Sequence, residues 1–236
     1  MHLDANATQI ALSIEGVSTD LQVLEFVGRE ALNQPYRFDV ELVSTRPDLD
    51  LDTLINRSAY LCFGPAQGGV HGVIDRIEQG DSGHRLTRYS LTLRPKLNYL
   101  RHCFDQRIYQ HLSVPQVIAL VLEDHGILDG DYKFQLGYVY PERDYCVQYD
   151  ESDLHFIQRL CEEEGISYHF QHSTRGHVLV FGDDQTVFPK LPPLAYQQDT
   201  GLSADNEVVR AFGVRLETQG ARQPDRRGHR PEQILP

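Results

Sequence analysis

The spacing of apolar and polar positions divides the chain into a strand-rich first hundred residues and a mixed segment that follows. Ile10, Leu12 and Ile14 alternate with small or polar residues, and Glu15-Gly16 then predicts a turn. A second strand is expected over 21–28. Tyr36, Phe38, Val40 and Leu42 alternate strictly with Arg37, Asp39 and Glu41, which predicts a strand with one buried face, and Asn33-Gln34-Pro35 before it reads as a loop. Leu49, Leu51, Leu54 and Ile55 suggest a short helix capped by Asp48 or Asp50. Residues 59–63 and 70–77 read as strands around the Gly64-Pro65 and Gly68-Gly69 breaks, and Tyr89, Leu91 and Leu93 mark another. Six strands separated by turn signals predict an antiparallel sheet closed, or nearly closed, into a barrel.

The pattern then changes. Ser113 and Gln116 have the spacing of a capping box with Pro115 in the first turn, so a helix starts there; Val117, Leu120 and Val121 give its stripe and Gly126 its stop. Tyr145, Val147 and Tyr149 alternate with Cys146, Gln148 and Asp150, the period of a strand with one face buried. Ser152 is an N-cap candidate, Asp153 puts negative charge at the positive end of the next helix, and Leu154, Ile157, Leu160 and Cys161 form its apolar stripe. Gly165 ends it. Ile166, Tyr168 and Phe170 restart the alternation, Ser173-Thr174-Arg175-Gly176 offers a turn, and 178–181 supplies the return strand. Beyond Gly182, Pro189, Pro192 and Pro193 break regular structure, and Val208, Phe212, Val214 and Leu216 suggest one or two further strands. Residues 219–236 have no apolar periodicity and read as a disordered tail.

Composition narrows the partners. Lys plus Arg number 22 against 34 Asp plus Glu, a net charge of −12 that argues against an overall electrostatic grip on nucleic acid or anionic lipid. Cys62, Cys103, Cys146 and Cys161 show neither a zinc spacing nor a disulfide framework, so buried reduced thiols and a cytosolic folding compartment are expected. The sequence has no apolar run of signal-peptide length at its start and no membrane-spanning run of about eighteen residues.

Catalytic chemistry finds little support. The nucleophile elbow, the H-E-x-x-H pair and the phosphate loop are all missing from the sequence. His169, His172 and His177 are the nearest thing to a ligand cluster, but residues three apart on a strand point to opposite faces, so His169 and His172 should diverge. Glu162, Glu163 and Glu164 oppose the dipole at a helix end, which is read as a solvated surface or, more sharply, as a contact surface or catalytic carboxylates. His125 reads as a helix-end histidine, with Glu123 and Asp124 as surface charges. Asp129-Gly130-Asp131 fails as a calcium loop, since Lys133, Phe134 and Tyr140 occupy ligand and glycine positions. No catalytic, cofactor-binding or metal residue is assigned, and no hydrolase activity or stoichiometric metal is expected.

Three stretches carry a resemblance. VLEFVGREALNQPYRFDVELVS from Val23, RYSLTLRPKLNYLRHCFDQRIYQHLSVPQVI from Arg88 and YCVQYDESDLHFIQRLCEEEGISYHF from Tyr145 resemble, in this order along the family, the VgrG proteins. These are trimeric spike-tip components of type VI secretion, related to phage baseplate hubs. The likeness covers roughly 21–217. Two departures stand out: the family often has a basic or small residue where Asp150 is, and tryptophans where Asn98 and Tyr99 are. The resemblance implies an α+β, β-rich fold: a barrel-like domain over 1–105, a small α+β domain over 106–182, the start of a second barrel-like domain over 183–218, and the tail. It implies a non-enzymatic structural hub, three copies forming a pseudo-sixfold ring on a hexameric, Hcp-like tube. Effector or adaptor proteins would be further partners, membranes would be met by mechanical puncture, and the protein would leave the bacterial cytoplasm through the type VI system. The OB-fold and β-helical spike of the family would lie downstream of this sequence. The competing expectation is a small metal-dependent hydrolase using the His169, His172 and His177 hairpin with Glu162 to Glu164.

Overall fold

Alternation in the third strand has the consequence it predicts. In the computed structural model, which describes residues 10–18, 20–63 and 68–188 together with 190, 193, 195–196 and 208–209, Tyr36, Phe38, Val40 and Leu42 are all 4% exposed or less. They line the inner face of a six-stranded antiparallel sheet. Its strands are β1 (Ala11–Ile14), β2 (Gln22–Ala31), β3 (Gln34–Ser44), β4 (Ser58–Cys62), β5 (Gly69–Ser82) and β6 (Thr87–Arg94), in the order β1-β4-β5-β6-β3-β2. Among the described residues no ladder joins the edges β1 and β2, so the sheet curls into a half-barrel without closing. Register shifts in the β2–β3 and β5–β6 pairs add local twist to that curl. Gly28 faces Phe38 across the β2–β3 ladder, and a Cβ there would lie 2.1 Å from the Phe38 ring. The missing side chain lets the ring cross β2 and fill the concave core.

Two local expectations need correction. The β2–β3 ladder runs to Ala31 and Gln34, so the turn is Leu32-Asn33 and both Gln34 and Pro35 belong to β3. The helix expected near 49–55 is a single 3-10 turn, Leu51–Thr53, with the Asp50 carboxylate accepting from the Asp52 N–H at 3.2 Å. Leu49 and Leu54 are nonetheless buried, as their apolar character demands.

A 3-10 segment, Lys96–His102, leads into a second core. At the positions where the family often has tryptophans, Asn98 is buried and accepts from Arg94 at 2.9 Å, while the Tyr99 hydroxyl donates to Asn56 at 2.9 Å. The elements that follow are β7 (Phe104–Tyr109), α1 (Val114–Asp124), β8 (Tyr132–Gln135), β9 (Cys146–Ser152), α2 (Asp153–Glu164), β10 (Ser167–Ser173) and β11 (Gly176–Gly182). β7 pairs antiparallel with β9; β10 pairs antiparallel with β11, which pairs parallel with β8.

Both helices start where their capping residues place them. Gln116 Oε1 accepts from the Ser113 N–H at 2.8 Å, and the Ser152 hydroxyl accepts from the His155 N–H at 3.2 Å. α2 buries Leu154, Phe156, Ile157, Leu160 and Cys161 and stops at Gly165, whose φ of 70° is the left-handed conformation glycine adopts freely. α1 buries Val114, Val117, Ile118, Val121 and Leu122. Leu120 does not join them: it is 42% exposed, about 130° round the helix from the centre of that face.

β9 (Cys146–Ser152) buries one face of its alternation, as its period predicts, and that face is the one without the tyrosines. Cys146 and Gln148 point inward, and Tyr145 and Tyr149 stand exposed. Gln148 can be buried because its amide donates to Asp153 Oδ1 and to the Glu151 carbonyl. Next to it the ladder steps from Arg107–Gln148 to Asp105–Glu151, so Tyr149 and Asp150 oppose Gln106 alone. Asp150 takes φ 50° in this bulge, a conformation Asp tolerates better than most residues.

Residues Pro189–Pro236 form a separate unit, in which β12 (Ala195–Tyr196) pairs parallel with β13 (Val208–Val209). The strand expected through Phe212, Val214 and Leu216, most of the span 183–218, and the tail 219–236 lie outside the described residues. No helix among those described is long and apolar enough to cross a membrane.

Candidate functional site

Within residues 1–188 the half-barrel and the second layer meet along a seam, and two polar constellations lie on it. The first is centred on Asn33 at the β2–β3 turn, with φ 59°. Its N–H donates to the Tyr168 carbonyl at 3.0 Å, its Oδ1 accepts from the Tyr168 N–H at 2.7 Å, and its carbonyl accepts from Gln158 Nε2 at 3.0 Å. Gln158 also donates to the Tyr168 hydroxyl at 2.9 Å. One turn residue of the half-barrel is thus held by both α2 and β10.

The second constellation contains three histidines. Strand geometry sends His169 and His172 to opposite faces, and the His169 ring packs 5.0 Å from Phe188. His172 and His177 face each other across the β10–β11 ladder, and His71 joins them from β5. His71 Nδ1 lies 3.1 Å from His177 Nδ1, one nitrogen donating and the other accepting. His172 Nδ1 accepts from the His71 backbone N–H at 3.3 Å, and its Nε2 lies 3.1 Å from the Glu30 carboxylate. Tyr36 packs edge-on against His172 and His177 and donates its hydroxyl to the His71 carbonyl at 2.6 Å. Burial, with His71 and His172 nearby, pushes the His177 pKa down to about 3; burial and His172 lower that of His71. Both rings are therefore neutral at pH 7. The seam opens beside them into a cleft of about 110 Å³, lined in part by Lys96, Asp131 and Arg175. His71 carries no local sequence signal, since it is 101 residues from His172.

The acidic helix end has partners of its own. Arg143 binds Glu163 at 2.8 Å and also pairs with Glu164; Arg159 binds Glu163 at 2.7 Å and Glu151 at 2.6 Å. Burial works against the charge of Glu163, but the hydrogen bonds from Arg143 and Arg159 outweigh it and lower its pKa. Asp124 is at the surface, as expected, and pairs there with Arg107, while Glu123 accepts from the Tyr132 hydroxyl at 3.2 Å. The histidine hairpin and the glutamates share no partner among the described residues. The hydrolase expectation thus has no assembled acid, base and nucleophile behind it.

Cysteine environments differ from a uniformly buried set. All four are free thiols; Cys146 and Cys161 are buried, whereas Cys62 and Cys103 are half-buried. Burial pushes the Cys161 thiol up to about 12. Cys103 belongs to a third group that sequence spacing does not reveal. It lies with His125 and Asp153, and the ligand-type atoms of all three are within 4.8 Å of one another. His125 is the C-cap of α1, as a helix-end histidine should be, and its Nε2 reaches Asp153 Oδ2 at 2.6 Å.

A curled antiparallel half-barrel backed by a small α+β layer is an architecture shared with phage baseplate and tail proteins. The chain belongs to the phage tail baseplate hub (GPD) family, whose model matches residues 29–227. It is 59% identical over 219 residues to the type VI secretion system spike protein VgrG4b of Pseudomonas aeruginosa, covering 92% of this chain and 27% of that protein. It is also 59% identical over 224 residues to VgrG5 of the same organism, covering 94% of this chain and 28% of that one. The chain therefore spans little more than a quarter of these relatives. Among solved structures, the E. coli c3393 protein aligns with a TM-score of 0.74 at 29% identity, over 81% of this chain and 53% of that one. That protein is described as a type VI secretion component structurally similar to the T4 bacteriophage tail proteins gp27 and gp5.

Proposed function

We propose that this chain forms the base of a type VI secretion spike, the part that sits on the hexameric tube and carries a downstream spike with its effectors. The observation that carries the reading is identity of 59% to VgrG4b across 92% of the chain. In this reading three copies form the ring, with 1–105 and 106–182 as its first two domains and 183–218 the start of another barrel-like domain. An Hcp-like tube protein and effector or adaptor proteins are the partners, and the assembly leaves the bacterial cytoplasm through the secretion system itself. The role is mechanical and needs no catalytic residue, cofactor or nucleic acid. The open edges of the half-barrel support it. Among the described residues β2 has no ladder on its outer side, and Leu24 and Val27 stand exposed along it, a surface that proteins normally cover by association.

Light scattering across a dilution series tests the assembly, using this chain and a chimera that joins it to the remainder of VgrG4b. The expected result is a concentration-dependent trimer for the chain, largely monomeric when dilute, and a fixed trimer for the chimera. A fixed dimer in both, or a chimera that stays monomeric, would refute the tube-capping geometry.

A further inference from the structure

We propose that Cys103, His125 and Asp153 form a structural binding site for a zinc-class divalent cation that ties three segments of the second layer together. The three residues sit at the junctions of different elements: Cys103 closes the 3-10 segment before β7, His125 caps the end of α1, and Asp153 begins α2. Their donor set is one thiol sulfur, one imidazole nitrogen and one carboxylate oxygen, a combination that suits zinc and cobalt rather than calcium or magnesium. The ligand-type atoms lie within 4.8 Å of one another, and binding needs the 2.6 Å contact of His125 Nε2 with Asp153 Oδ2 to open by under about 1 Å so that both atoms face one ion.

The surroundings are organised as a metal site's usually are. The Asp153 N–H donates to the Cys103 carbonyl at 2.9 Å, which fixes the two ligands relative to each other. Gln148, 1% exposed, donates its amide to Asp153 Oδ1 at 2.5 Å and so leaves Oδ2 turned to His125. The same side chain has a buried Oε1 with no partner among the described residues, an unused acceptor beside the cluster. Charge points the same way. Asp153 is 4% exposed, and a buried carboxylate is costly unless a cation balances it. A divalent ion with one thiolate, one carboxylate and one neutral imidazole gives a cluster of zero net charge. His172, by contrast, spends both ring nitrogens on the His71 N–H and Glu30, so the seam histidines do not supply a comparable set.

The site is independent of the assembly reading and is tested on the 236-residue chain. After chelator treatment and its removal, the chain is titrated with zinc against a chromogenic competitor, and separately with cobalt(II). One equivalent of zinc is expected, with affinity reduced at least about tenfold in Cys103→Ser and in His125→Gln, and unchanged in His177→Phe. The cobalt form should show thiolate-to-metal charge transfer in the near ultraviolet, which reads the sulfur ligand in the parent chain even if a variant fails to fold. Binding of less than about a tenth of an equivalent, a cobalt spectrum without that band, or equal affinity in folded Cys103→Ser would overturn the proposal. Cys103 and the Asp153–His125 hydrogen bond would then be a packed helix junction and nothing more.

Discussion

Acidification from pH 7 to pH 5 should destabilise the seam between half-barrel and second layer, and His177 sets the size of the effect. Its folded pKa of about 3 lies below the ordinary value of 6.5, so the unfolded chain binds this proton first. The contribution is complete above pH 6.5 and is lost as pH falls from there toward 3, at about 1.36 kcal/mol per unit. By pH 5 the loss is about 2 kcal/mol from His177 alone. His71 and His169 are shifted in the same direction and add to it. The groups facing the cluster do not reverse the sign. Burial dominates the shift of His177, with Lys96 reinforcing it and Asp131 opposing it; Glu15 opposes the shift of His71, and Glu30 binds His172 on its other side.

The window is free of the carboxylates. Asp20, Asp39, Glu151, Glu163 and Asp183 have lowered folded pKa values, so their contributions are present above the ordinary carboxylate range and fade only when pH falls through about 4. Urea unfolding followed by circular dichroism at pH 7, 6 and 5 measures the loss directly. His177→Phe keeps an aromatic ring against Tyr36 and Phe170 but cannot titrate, so its stability should fall by about 1.5–2 kcal/mol less than the parent's over the same interval. A flat parent profile, or equal slopes in parent and variant, would mean that folding does not hold His177 neutral.

The remaining predictions concern the second layer and its clasp. Leu160 is wholly buried in the core beneath α2, so Leu160→Ala should cost about 2–5 kcal/mol, while Glu163→Ala, at a partly exposed pair of ion bridges, should cost under about 1 kcal/mol; thermal melts that rank the two the other way would show the helix face to be misassigned. Asn33→Ala should cost about 2–3 kcal/mol, from an unpaired Tyr168 N–H and a side chain poorly suited to φ 59°, and Asn33→Gly should recover the backbone part only; denaturant curves that leave both variants at parental stability would remove the clasp from the argument.

What could be read from the residues alone divides along physical lines. Strict alternation in β3 reports burial directly, because a one-residue slip would expose every apolar side chain, and the capping residues Ser113 and Ser152 act on N–H groups only a few positions away. Closure of the sheet was not legible, since the ladder that would join β1 to β2 is a long-range pairing with no local pattern. Which face of β9 turns inward was not legible for a related reason. Hydropathy favours Tyr145 and Tyr149 for the core, yet the hydrogen bonds that make Gln148 cheap to bury come partly from the next helix. The carboxylates of Glu163 and Glu164 looked frustrated against the dipole of α2 because Arg143, about twenty residues earlier, cannot be seen from the helix sequence. Cys103, His125 and Asp153 are spaced too widely for any motif, and His71 lies farther still from its hairpin partners.

The seam also bears on how a hub of this kind could transmit load. Phe170 packs against both hydrophobic cores and meets the Tyr36 ring at 4.9 Å, so the apolar contact between the layers passes through one hairpin. Apolar packing is non-directional and resists sliding poorly unless shape holds it. Hydrogen bonds are directional, and here they lie on either side of Phe170: Asn33 is fixed to Tyr168 and Gln158, while His71 and Glu30 bind the end of the same hairpin through His177 and His172. Displacing one layer along the other must break bonds at both points together, including groups whose partners are buried. In the proposed role a structural base loaded along its axis needs that property more than it needs a large interface, and the sequence concentrates it in residues 168–177, 30–36 and 71.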